Sequence, residues 1–121
     1  MTEISKPKRY DLEERTFQFA QNIAIYCKKL SRTISNIEYM KQVVRASGSI
    51  GANYIEANES LGKKDFMMRI KICRKEAKES AYWLRLIIGT NIGESKTEGE
   101  TLLNESIELK KIFSSILDKS K

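Results

Sequence analysis

The chain has 121 residues with one proline, six glycines and an apolar share of 40%, which fits one helix-rich domain with a modest core. Twenty-two lysines and arginines against sixteen acids leave a net charge of +6, a balance that suits nucleic acid or an acidic partner and says nothing about fold. There is no histidine, so the commonest acid–base group and metal ligand are missing, and no apolar run reaches the ~18 residues of a membrane span.

Residues 1–9, with Lys6, Lys8 and Arg9 around Pro7, read as a basic flexible arm, and residues 10–121 as a single bundle domain. The basic start has no apolar stretch after it, which argues against a secretory signal and for a cytoplasmic chain. Cys27 and Cys73 are then expected to be small buried thiols; a disulfide or redox pair is the sharper alternative.

A first helix is predicted over roughly 11–31, capped by Asp11 with Glu14 three residues on. Leu12, Thr16, Phe19, Ile23, Tyr26 and Leu30 recur at steps of four and three, and Phe17, Ala20, Ala24 and Cys27 widen the stripe. Ser35 or Asn36 can cap the second helix. Its seam is Met40, Val43, Ser47, Ile50, Tyr54, Ala57 and Leu61, unbroken through the glycine-bearing stretch RASGSIGANYIEA. A loop would have no reason to hold that phase. Each glycine costs about 1 kcal/mol against alanine inside a helix, so close packing must offset it. Gly48 and Gly51, with Val44 and Ile55, form the stripe where a neighbouring backbone is expected to approach. The other flank, Ala46, Ser49, Asn53, Glu56 and Ser60, is small and polar, so a thin, surrounded helix is expected.

Gly62 ends that helix, and Lys63, Lys64 and Asp65 form the turn and the next cap. Phe66, Ile70, Cys73, Ala77, Ser80, Leu84 and Ile87 make the third seam, which breaks at the stretch GTNIG. Thr97 with Glu100 is a second capping box. Leu102, Ser106, Leu109, Phe113 and Ile116, flanked by Leu103, Ile112 and Leu117, give the fourth helix. Short connections and heptad-like seams predict an all-α, antiparallel up-down four-helix bundle.

Four constellations bear on function. GSIGA lacks the lysine of a phosphate loop and the spacing of a dinucleotide fingerprint, and no strand precedes it. Glu56, Glu76 and Glu79 do not make a di-metal set, because such bundles need histidine; ion pairing with Arg45, Arg69 or Arg74 is the expected use, and neither metal nor cofactor is expected. Over residues 63–85, eight cations stand against three acids, and Lys64, Lys71, Lys75, Lys78 and Arg85 fall on one face with Tyr82. Such a row can contact phosphates without reading bases, or it can be a solvated face. Finally, Trp83 lies off the third seam, as an anchor between subunits would.

With those residues in view, the chain resembles the family of 23S ribosomal RNA intervening-sequence proteins, four-helix bundles with the pattern R-[SA]-[SA]-x-S-[IV]-x-A-N-[IYV]-x-E-[GA]. It reads here as Arg45-Ala46-Ser47-Gly48-Ser49-Ile50-Gly51-Ala52-Asn53-Tyr54-Ile55-Glu56-Ala57, with Ala57 where many members have glycine. Lys75-Glu76-Ala77 and Tyr82-Trp83-Leu84 carry a second match, and the resemblance spans about residues 10–118. It implies a helical homopentamer with no defined catalytic residue, encoded within or apart from insertions in bacterial 23S ribosomal RNA. A relative accompanies the reverse transcriptase of diversity-generating retroelements. Arg45, Ser49, Asn53, Glu56, Glu76 and Trp83 match motif positions and, with Gly48 and Gly51, are expected to serve fold and assembly. The expected function is a non-enzymatic, basic, cytoplasmic homopentamer that binds RNA or DNA through phosphates. The alternative is a scaffold for a protein such as a reverse transcriptase.

Overall fold

The alternating steps of three and four become helices in a computed structural model that describes residues 8–121: α1 (Lys8–Lys28), α2 (Ile34–Asn58), α3 (Lys63–Thr90) and α4 (Lys96–Ser120). Residues 1–7 of the expected basic arm lie outside the described residues. Each helix packs on two neighbours, α1 on α2 and α4, and α3 on α2 and α4, which closes a four-helix bundle. Partners across α2 and α3 run in reverse order: Asn53 with Arg69, Ile50 with Cys73, Arg45 with Glu79, and Asn36 with Asn91. The same order holds for α1 and α4, where Arg15 meets Glu105 and Lys29 meets Glu98. This is the order expected of antiparallel neighbours.

The four seams meet inside. Phe19, Ile23 and Tyr26 face Val43, Ile50, Ile70, Leu84, Ile87, Leu109 and Phe113, all fully or almost fully buried. Each large aliphatic or aromatic side chain removed from water in this way contributes roughly 1.5–3 kcal/mol. Hydroxyls at seam positions would be costly if unpaired, but each donates to a carbonyl of its own helix. Thr16 bonds to Leu12 at 2.9 Å, Ser47 to Val44 at 3.2 Å, Ser80 to Glu76 at 2.9 Å and Ser106 to Leu103 at 2.7 Å.

The helix ends differ from the expected ones. The first helix starts at Lys8, so Asp11 lies in its first turn and does not cap it. Thr33 caps α2, its hydroxyl accepting the Asn36 N–H at 3.1 Å, which places Ser35 and Asn36 inside the first turn. Asn36 is instead buried, and its amide exchanges hydrogen bonds of 2.8 and 2.7 Å with Asn91 at the far end of α3. Because α2 ends at Asn58, closed by Glu59 N–H to Glu56 at 3.1 Å, Leu61 leaves the seam and is fully exposed. Extended Gly62 precedes α3 without a side-chain cap, and Asp65 sits in its first turn, favourably placed for the helix dipole. Ser95, in the left-handed conformation at φ 51°, precedes α4, so Thr97 and Glu100 lie within the helix and form no capping box.

Two glycines matter for packing. A Cβ on Gly51 would stand 3.0 Å from Thr16 Oγ1, so α2 is thin where it crosses α1. In α4, a Cβ on Gly99 would stand 2.5 Å from the Tyr26 hydroxyl. Gly48 contradicts the expectation of a close approach within the chain, since among the described residues nothing lies within 4 Å of its Cβ position. Val44 and Ile55 beside it are about half exposed, with Ala52 and, on α1, Phe17. The second helix is therefore packed on α1 and α3 alone and otherwise open, not surrounded as expected.

Candidate nucleic-acid interface

Helical geometry puts residues 71, 75, 78, 82 and 85 in one line, because steps of four, three, four and three follow the 3.6-residue turn. Lys64, Lys71, Lys75, Lys78 and Arg85 are all exposed, as is Tyr82. Of the three acids of the same helix, Asp65 shares a hollow with Lys64 and Lys71 at its start, and the other two lie elsewhere. Arg45 on α2 draws Glu76 (3.6 Å) and Glu79 (3.3 Å) to the opposite flank of α3, so these two do not neutralise the line at Lys71, Lys75 and Lys78.

Bundle packing adds what the line alone lacks. Between α3 and α4 runs a shallow groove of about 370 Å³, lined by Lys71, Arg74, Lys75 and Lys78 from α3 and Lys110 and Ser114 from α4. No carboxylate lines it, and among the described residues none of its five cations forms an ion pair. Along the axis, Lys71 to Lys78 covers about 10.5 Å at 1.5 Å per residue. The cations therefore converge from two helices on one concave strip, with a hydroxyl at its edge. Lys64 and Arg85 extend the line beyond both ends; Lys64 borders a second hollow, beside Lys71, at the start of α3.

The residues expected to serve assembly separate into four settings. Asn53 donates to Ser49 (2.9 Å to the carbonyl, 3.0 Å to the hydroxyl) and accepts from Arg69 at 2.9 Å, a ladder that ties α2 to α3. Glu76 is 5% exposed, and its Oε1 accepts no hydrogen bond, the 3.6 Å contact with Arg45 being its compensation. Glu56 contradicts the expected pairing: it is exposed, Arg45 serves Glu76 and Glu79, Arg69 serves Asn53, and Arg74 turns to the groove. Trp83 is partly buried between Tyr39 (ring centroids 6.1 Å apart) and Tyr82 (5.1 Å, T-shaped), so the freer ring is its neighbour.

Sequence reasoning missed Arg74, Lys110 and Ser114 as groove residues. The doublet Lys110-Lys111 was the only local sign of Lys110, and it could not say which helix Lys110 faced.

Other chemistry has little support. Among the described residues, no three of His, Cys, Asp and Glu gather closely enough to hold a metal. Both thiols are free and buried; burial pushes Cys27 up to about 11 and Cys73 up to about 12, which leaves little nucleophilic thiolate at neutral pH. No helix among the described residues is long and apolar enough to cross a membrane.

The family model described as 23S rRNA-intervening sequence protein matches residues 8–115. The chain is also similar to a crystal structure of a protein of unknown function from the S23 ribosomal protein family of Bacteroides thetaiotaomicron VPI-5482. The two share 34% identity over 87% of this chain and 96% of that one, with a TM-score of 0.77. Among curated proteins nothing matches.

Proposed function

The chain belongs to the 23S rRNA-intervening sequence protein family, and from that premise we propose that it is a non-enzymatic bundle that binds nucleic acid, RNA foremost, through phosphate contacts in the α3–α4 groove. One observation carries the reading: five cations from two helices share a concave strip that holds no carboxylate. A solvated helix face has no need of convergence from a second helix. Neutralising phosphates there releases counterions, which supplies affinity without reading bases. Self-association belongs to the same proposal, as a homopentamer by family resemblance, and it is supported by the open apolar strip of Val44, Gly48, Ala52 and Ile55 on one face of α2. Repetition of the groove would raise the effective concentration of sites along one strand.

That apolar strip also favours a second reading, a scaffold whose partner is another protein, such as a reverse transcriptase, and not a nucleic acid. The test that separates them is charge reversal. Lys71, Lys75 and Lys78 all changed to glutamate should abolish RNA binding at low salt and leave the helical circular dichroism signal unchanged. If the wild type binds neither RNA nor DNA at low salt, the scaffold takes its place.

A further inference from the structure

An exposed tyrosine in a row of cations needs its own explanation. Tyr82 is 54% exposed and continues the line of Lys71, Lys75 and Lys78, four residues beyond the last of them and three before Arg85. One helical step of four places it about 6 Å further along the axis than Lys78. Its ring is not loose. It stands in T-shaped contact with Trp83 at 5.1 Å, and Trp83 in turn packs against Tyr39 and the core. A partly buried aromatic pair thus braces a ring whose remaining surface is open to solvent, one helical step beyond Lys78 of the groove lining.

We infer that Tyr82 is a stacking platform for an unpaired base, so that the ligand of the groove is a single strand and not a duplex. This rests on the phosphate-binding reading above and adds the class of ligand to it. A charged groove alone accepts single and double strands. A ring at the groove's end selects strands whose bases are free to turn out and stack, and it does so without sequence preference, because every base has a π-face. The chemistry has two parts on one helix: lysine ammonium groups hold the backbone, and the phenol ring holds a base.

The experiment compares three probes of equal phosphate number on the full chain: an oligouridylate of about 12 nucleotides, within the usual range for single-strand sites, the same backbone without bases, and a duplex. The wild type should bind the oligouridylate more tightly than the abasic strand. Tyr82→Ala should weaken the oligouridylate about 5- to 150-fold, the equivalent of one stacked base at ~1–3 kcal/mol. Affinity for the abasic strand and the duplex should not move, and neither should the salt slope, because no charge is lost. Tyr82→Phe should keep the wild-type preference. Trp83, the chain's single tryptophan, lies close enough to report stacking as an emission change that the abasic strand does not produce. Equal wild-type affinity for strands with and without bases overturns the inference and leaves the phosphate reading standing; so does a silent Tyr82→Ala. Failure of the wild type to bind any of the three probes at low salt removes both.

Discussion

Tyr26 shows how much a single buried group can decide. Its hydroxyl has no hydrogen-bond partner among the described residues, and it occupies the space where Gly99 would otherwise carry a Cβ. Desolvation pushes it up to about 12, and the same cause raises Cys27 to about 11 and Cys73 to about 12. All three are acids whose neutral form the fold prefers. Their contribution is complete below the ordinary cysteine value of 9.0 and is lost as pH climbs from there toward 12. Melting temperature should therefore hold between pH 7 and 8.5 and fall through pH 9–11. The double variant Cys27→Ala/Cys73→Ala should lose the earliest part of that fall, and a profile as steep as the wild type's below pH 10 would show that the thiols take no part. The burial of the thiols was legible in the sequence, because both sit on or beside an apolar seam. The role of Gly99 was not, since it depends on which ring reaches α4 from α1.

At the scale of helices, periodicity carried most of the information. The seams through Val43 and Ile50, Cys73 and Leu84, and Leu109 and Phe113 could be read directly, because core burial imposes a 3.6-residue period that survives any choice of side chain. Ends were less legible. Thr33, Ser35 and Asn36 are all competent caps, and the choice fell to Thr33 because the Asn36 amide is held by Asn91, 55 residues away. Contacts between helices were hidden for the same reason: Arg74 is a plausible glutamate partner by spacing, yet it lines the groove with Lys110. The two α2 glycines make opposite predictions. Gly51→Leu should clash with Thr16 and cost roughly 1–3 kcal/mol, as overpacking does. Gly48→Ala meets nothing among the described residues and should stabilise the subunit by about 1 kcal/mol through helix propensity alone. Thermal melts of the two variants check both, and a destabilised Gly48→Ala would mean that another surface already packs against that position.

For the whole molecule, two faces stand apart on the bundle. An apolar strip opens on α2, and a basic groove lies between α3 and α4. The strip is the surface on which self-association is proposed: light scattering should give about five times the 14.0 kDa chain mass. Val44→Glu, which puts a charge into that strip, should shift the mass toward one chain without loss of helix; a wild type that runs as a monomer at micromolar concentration would refute the assembly. The groove carries the central claim, and the salt dependence of RNA binding tests it most directly. For a single-stranded RNA, the slope of log affinity against log salt should be steep in the wild type and shallower by about 0.7 in Lys75→Gln for each chain that engages the strand, with the same loss in Lys110→Gln on the opposite wall. A slope that neither substitution changes would place the phosphates elsewhere and contradict the account.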